Sequence, residues 1–366
     1  MVQSAKYLKK EKSGRLLALD AARGLAVIGM YIQHFALSAW NSNIVSGNTM
    51  ILFILCSGIS FTLSYQANIR KSLSKADFRI RMLARTAFIY AVGYLLILLN
   101  GPFGMVLPAF ALLSLIGIPF KDWSFKRLAV ATGLAFFICP VVMILGESLL
   151  GHASLLADFA GGPLSAVGML PVFLLGMLLG RLDLHDTRKV FQFLVTGIAL
   201  LLFVLLIDRT VLPIIRVSFE NWLATLPAYQ SYAEINEYAP WPQNVYPPML
   251  HMLFYTAPQN GSFFTLLRGV GTSLVAFGLC IFAQGICDKV LSPFTTVGKC
   301  SLTMYAIQFV LGWLIMLFEL PFLEISFFGW DILVSLLVIA IAFLINLFGG
   351  GILEKGMRNF TAQFLS

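Results

Sequence analysis

VFQFLVTGIALLLFVLLI, residues 190–207, runs eighteen residues without a charge, and runs of this kind recur along the whole chain. About 20 such residues cross the ~30 Å hydrocarbon core of a bilayer as a helix. The runs are continuously apolar, which excludes the in–out alternation of a transmembrane β-barrel. Only 11% of the 366 residues are charged and 59% are hydrophobic, with a mean hydropathy of +0.86. Soluble domains carry roughly 25% charged residues. The expected fold class is an all-α polytopic membrane protein, a single integral membrane domain over 1–366. Ten spans are predicted near 17–40, 48–66, 83–100, 103–120, 128–149, 163–180, 190–207, 262–284, 297–318 and 331–350, the fourth broken by Pro108 and Gly117.

Charge placement orients these spans. With ten, the termini share a side, and 21 of the 25 Lys and Arg fall there. The other side has Arg209, Arg216 and Arg268, while Arg23 lies within a span. Cytoplasmic loops carry the Lys/Arg excess, so both termini are expected to be cytoplasmic. The net charge of +8 then follows from this bias and suits anionic lipid. Charges scattered over short loops do not suggest nucleic acid. The basic opening MVQSAKYLKKEKSGR is followed by no signal-peptide cleavage site. Cys56, Cys139, Cys280, Cys287 and Cys300 fall in spans or on the cytoplasmic side, so no disulfide is expected. Their spacing to histidine suggests no metal.

One external segment is large. Residues 208–261, between the seventh and eighth spans, hold seven of the 15 prolines and many aromatic residues, among them Trp222, Tyr229, Trp241 and Tyr255. Disordered segments are poor in aromatics. The segment is expected either to lie on the bilayer as an aromatic belt or to cap a substrate entrance.

The first span is the unusual one. LDAARGLAVIGMYIQHF (19–35) carries Asp20, Arg23, Gln33 and His34. At ~100° per residue, Arg23 and His34 lie within about 20° of one line, and Asp20, Tyr31, Ser38 and Asn41 within about 60° of His34. Asp20 and Arg23, near the cytoplasmic end, can pair at i,i+3. His34 is too deep to reach the interface, and ionisable groups at such depth mark functional paths or interhelical hydrogen bonds. Ser57, Ser60 and Ser64 in the second span, and Gly176 and Gly180 in LLGMLLGR, read as packing faces. In the ninth span Ser301, Tyr305 and Gln308 share a polar face that needs partners, and a cavity shared with His34 would supply them. Arg70, Lys71, Lys75, Arg79 and Arg81 read as positive-inside residues, with phosphate binding as the alternative. His251, in PPMLHML, is an interfacial tip or a second acid/base group facing the substrate. His152 and His185 lie in short loops without a case for function. Glu354 and Arg358, four apart, suggest a helix-end ion pair.

These residues also form a pattern. RLLALDAARGLAVIGM resembles the opening motif of the YeiB-like family of bacterial membrane proteins. FLLGMLLGR (173–181), TVGKCSLTMYAIQ (296–308) and GILEKGMR (351–358) resemble its central, penultimate and closing motifs. That family is similar to heparan-α-glucosaminide N-acetyltransferase and, more distantly, to transmembrane glycan acyltransferases. In the latter a functional histidine follows the R-G pair by ten residues, and Gly24 plus ten is His34. The resemblance implies a multi-pass enzyme of the bacterial inner (cytoplasmic) membrane. It would carry acetyl or another short acyl group from acetyl-CoA or another acyl-CoA to a hydroxyl or amine of a sugar-bearing or glycolipid acceptor. No cofactor would be permanently bound.

In that reading His34 takes the proton of the nucleophile, and Asn41, Tyr305 and Gln308 are candidates to bind substrate or the carbonyl oxygen. Arg23 or the 70–81 loop would meet the phosphates of CoA, and Asp20, Glu354 and Arg358 would be structural. The oligomeric state is open, a homo-oligomer included. Two other readings stand beside it. A proton-coupled transporter or flippase would use the deep histidine, though no internal repeat is evident. A non-catalytic partner docking through 208–261 would tolerate loss of His34.

Overall fold

The structure, a computed structural model, describes residues 16–36, 42–150, 155–184, 186–229, 246–319 and 328–364. Asn41, His152, His185 and Trp241 lie outside the described residues. The helices run α1 (Leu17–Phe35), α2 (Ser42–Val45), α3 (Asn48–Arg70), α4 (Lys75–Ile97), α5 (Leu107–Phe120), α6 (Phe125–Leu150), α7 (Leu155–Ala160) and α8 (Ala166–Leu179). They continue with α9 (Thr187–Thr210), α10 (Leu212–Ala224), α11 (Phe263–Ile286), α12 (Ser292–Lys299), α13 (Ser301–Leu317), α14 (Phe328–Leu347) and α15 (Ile352–Ala362). No strand occurs among the described residues, and the chain is an all-α polytopic membrane protein.

Every predicted span contains a helix, but the helices are not alike. Among the described residues six are long and apolar enough to cross a membrane: α3, α4, α6, α9, α11 and α14. The pair α12 and α13 passes together, bent by 64°. Three others fall short. α1 carries the polar stripe, and α5 and α8, with 14 residues each, rise only about 21 Å. Twelve of the 14 residues of α8 are buried. A helix walled by protein does not need the length or apolarity that lipid demands.

The centre is assembled by close backbone approach. α1 packs against α3, α11, α12 and α14. Gly24 and Gly298 interlock: a Cβ on the first would overlap the carbonyl oxygen of Phe294, and one on the second that of Asp20. The opening motif and the GKCSL motif thus pack on each other. Gly176 and Gly180 of α8 lie on the backbone of α3 at Leu55 and Ile59, the packing role that their spacing predicts. Gly24→Ala and Gly298→Ala are each expected to cost about 1–3 kcal/mol by overpacking, read as a lower unfolding midpoint in detergent. An unchanged midpoint would refute the tight crossing.

The basic end is tied by polar groups. Ser74 and Asp77 form a capping box at the start of α4. Arg181, the last residue of the central motif, donates to the carbonyls of Phe120 at 3.0 Å and Lys121 at 3.3 Å, which lie at the end of α5. Asp122 accepts from Tyr65, from Lys121 at 2.8 Å and from Lys75 at 3.1 Å. Burial alone would raise its carboxyl, but these hydrogen bonds hold it well below the usual carboxylate range. Its contribution is therefore fully present above the unfolded value of about 3.9, declines below it, and is lost as pH falls through the depressed folded value. Asp122→Asn is expected to lower the unfolding midpoint at pH 7, and the gap to wild type should narrow progressively as pH falls from about 4 toward 2. An equal midpoint at pH 7 would contradict this clamp.

The segment 208–261 begins not as a loop but as helix α10, with Pro213 in its first turn, where a missing N–H costs nothing. Arg216 holds Asp208 at 2.5 Å and the Phe254 carbonyl at 2.8 Å, and it lies 4.6 Å from the Tyr255 ring centroid. The described part of the segment is thereby folded back on itself.

Candidate functional site

The fourth predicted span starts late, and the site depends on it. Pro108 does not break α5 but starts it, and residues 98–106 stay outside the helix. They carry Phe103 onto His34, with ring centroids 3.9 Å apart and planes 6° from parallel. Phe103 fits because Gly312 of α13 has no side chain, and a Cβ there would overlap the Phe103 ring. The Val106 N–H donates to the Tyr305 hydroxyl at 3.2 Å, which fixes the start of α5 against α13.

A cavity of about 280 Å³ lies where these elements meet, lined among others by Gln33, His34, Thr49, Phe103, Gln259, Tyr305 and Gln308. Two of the polar groups are unsatisfied. His34 Nδ1 and both amide atoms of Gln308 are buried with no hydrogen-bond partner. Buried polar atoms are nearly always paired, so an orphaned imidazole nitrogen and amide on one cavity mark a place for something polar.

A second cavity, about 340 Å³, lies toward the basic end. Four cations line it: Arg23, Arg85, Lys299 and Arg358. Ser57, Ser301 and Glu354 are in its wall too. Arg23 pairs with Asp20 at 3.5 Å and donates to Ser60, while Arg85 Nε is buried without a partner. The two cavities share Phe53, Leu107, Phe110 and Tyr305 as lining. A four-residue wall separates a basic chamber from a neutral one holding the histidine. A third opening, lined by Ser64, Arg81, Arg85 and Arg358, continues the basic chamber outward.

The predicted site residues divide between these chambers. The stripe on α1 is split, with Arg23 in one and His34 in the other. Tyr305 serves both, and Gln308 joins His34 as its shared face predicts. Asp20 and Arg23 pair as their spacing predicts. His251 is 4% exposed and lies edge-on to Tyr255 at 6.0 Å; it is buried rather than an exposed tip, and it lines neither chamber. Asn41 falls outside the described residues.

One sequence expectation is corrected and a second is extended. Glu354 does not pair with Arg358. It accepts from the N–H groups of Leu302 at 2.7 Å and Thr303 at 3.2 Å and from the Thr303 hydroxyl at 2.6 Å. Those N–H groups begin α13, where unsatisfied donors and the helix dipole attract a carboxylate. Capture of these donors accompanies the bend at Cys300 and leaves Arg358 to the basic chamber. Glu354→Ala should therefore cost about 1–3 kcal/mol, the penalty of orphaned buried donors, whereas Arg358→Ala should not lower the midpoint. Equal losses would restore the ion pair. Second, the serine face of α3 does more than pack: Ser57 and Ser64 line basic openings and Ser60 accepts from Arg23 of α1.

Sequence reading missed Phe103, Gln259, Lys299 and Arg85 as site residues. Arg85 had a signal, a cation inside a predicted span, the same one that drew attention to His34. Phe103 had none, being one of 32 phenylalanines.

No curated protein matches the chain significantly. The family model described as the catalytic region of heparan-α-glucosaminide N-acetyltransferase matches residues 15–218, more than half of the sequence, which takes in Arg23, His34, Arg85 and Phe103 and leaves Lys299, Tyr305, Gln308 and Arg358 beyond it. With an all-α membrane fold and its opening motif at the centre of the site, the chain belongs to the heparan-α-glucosaminide N-acetyltransferase catalytic family.

Proposed function

We propose that this protein is an integral membrane acyltransferase that takes an acetyl or short acyl group from acyl-CoA in the basic chamber and passes it to an acceptor in the His34 chamber. The observation that carries the reading is the shared wall of Phe53, Leu107, Phe110 and Tyr305 between a chamber of four cations and one with an unpartnered imidazole. CoA is a polyphosphate with a long neutral arm. Arg85 and Arg358 suit its phosphates because guanidinium groups bind phosphate bidentately, Lys299 adds a point charge, and the arm would bring the thioester to Tyr305.

His34 acts as general base on the acceptor, and Tyr305 and Gln308 are donors available to the carbonyl oxygen as charge develops on it. The basic end faces the cytoplasm in this reading, with both termini there, ten spans in a bacterial inner membrane, and a sugar-bearing acceptor arriving from the other side. Thermal unfolding with CoA and acetyl-CoA tests the donor site. Stabilisation by both is expected, and no shift with either would remove the reading.

A transporter remains the second reading, favoured by the 64° break between α12 and α13 beside the basic chamber. Broken helices at a midplane cavity are a transporter feature. Transport would move acetyl-CoA or a proton without cleaving the thioester, so release of free CoA thiol separates the two.

A further inference from the structure

The unsatisfied atoms of the His34 chamber define the group that it takes. Gln308 is 1% exposed, and its amide offers a donor, Nε2, beside an acceptor, Oε1, neither of them partnered. An occupant must therefore accept from one and donate to the other. Gln33, Thr49 and Gln259 add neutral polar groups to the lining, and no Asp, Glu, Lys or Arg lines the chamber among the described residues.

A hydroxyl donates and accepts at once. Neighbouring hydroxyls of a sugar can satisfy both atoms of Gln308 and still present a proton to His34. An ammonium would be desolvated here without a counter-charge, so an amino sugar must first lose a proton to enter, whereas a neutral sugar need not. Aromatic rings of Phe53, Phe103 and Phe110 supply apolar faces for the C–H side of a ring. At about 280 Å³ the chamber is near the lower end of ligand-pocket sizes, which suits one sugar ring rather than a polymer.

We infer that the acceptor is a neutral sugar hydroxyl, so that the product is an ester; this rests on the acyltransferase reading above. The family description names transfer to nitrogen, and the lining of this chamber departs from that. In the step, the hydroxyl oxygen attacks the thioester carbonyl carbon as its proton passes to His34. The C–O bond forms, the C–S bond breaks, and the proton leaves with the thiolate as CoA thiol. Gln308 orients the acceptor by holding the hydroxyl beside the reacting one.

The test uses protein purified in a detergent without a sugar headgroup and acetyl-CoA labelled in its acetyl group. Methyl β-D-glucopyranoside and its 2-amino-2-deoxy analogue are supplied together at equal concentration. Label that hydroxylamine releases from the glycosides is the expected product, since esters are cleaved and amides are not. Hydroxylamine-stable label on the amino glycoside overturns the inference, and so does the absence of label in a protein that acetyl-CoA stabilises. Absence of both label and stabilisation is instead the failure of the acyltransferase reading itself. Gln308→Leu should lower ester formation about tenfold or more. Gln308→Glu, which supplies a counter-charge for ammonium, should move label toward the amide. A preference unchanged in both variants also overturns the assignment.

Discussion

His34→Ala is expected to lower acyl transfer by ~10²–10⁴-fold, the usual contribution of a general base, while acetyl-CoA still stabilises the variant. The two halves of this expectation come from the two chambers. His34 lines only the neutral one, and the cations that would hold the donor line only the basic one. Among the described residues the histidine makes no hydrogen bond that its removal would break; its Nδ1 is unpartnered and its ring lies flat on Phe103. Truncation to alanine costs that stacking contact, worth roughly 0.5–1.5 kcal/mol, and the protein should still fold. His34→Gln keeps a polar side chain without a titrating base and should be equally inactive. Activity in either variant within a few-fold of wild type would remove His34 from the chemistry and favour the docking or packing readings of α1.

The second large effect belongs to Arg85 and Arg358. Each lines both basic openings, and neither pairs with a carboxylate among the described residues. Hydrogen bonds to charged groups contribute about 1.5–3 kcal/mol each, so Arg85→Ala or Arg358→Ala should weaken acetyl-CoA binding about 10- to 100-fold. At a concentration 100 times the wild-type Kd, the ligand stabilises wild type by ~2.7 kcal/mol, and a variant 100-fold weaker by only about 0.4 kcal/mol. The unfolding midpoint reads that loss directly. Arg79→Ala, on the same helix but lining neither opening, is the control. If it costs as much as Arg85→Ala, the effect is general surface charge and not a built site.

The long apolar helices were legible because lipid imposes a length and a composition that any window of sequence displays. The stripe on α1 was legible for the opposite reason, since polar residues in an apolar run stand out and helical periodicity puts them on one face. Its division between two chambers was not legible, because the wall is built from α3, α5 and α13 at Phe53, Leu107, Phe110 and Tyr305.

The misreadings share one cause. Local spacing offered a nearby reading, and a distant group or the fold decided otherwise. Glu354 and Arg358 are four apart, yet the free donors of α13 lie about fifty residues back in sequence and take the carboxylate. The serines of α3 have helix-packing spacing, and one of them also takes the guanidinium of Arg23. Pro108 was read as an interruption and is a first-turn residue, a position that proline favours. Loop residues 98–106 carry no period at all, so the placement of Phe103 on His34 could come only from the fold.

The most direct measurement of the central claim uses sealed inside-out membrane vesicles containing this protein, with glucose and glucosamine trapped inside. Acetyl-CoA carrying distinct labels on its acetyl group and its nucleotide is added outside. If the two chambers work as a donor side and an acceptor side, the acetyl label appears on trapped sugar while the nucleotide label remains outside as free CoA, and His34→Ala abolishes the first without trapping the second. Both labels entering together, or acetylated sugar forming only when sugar and acetyl-CoA share one side, would contradict it.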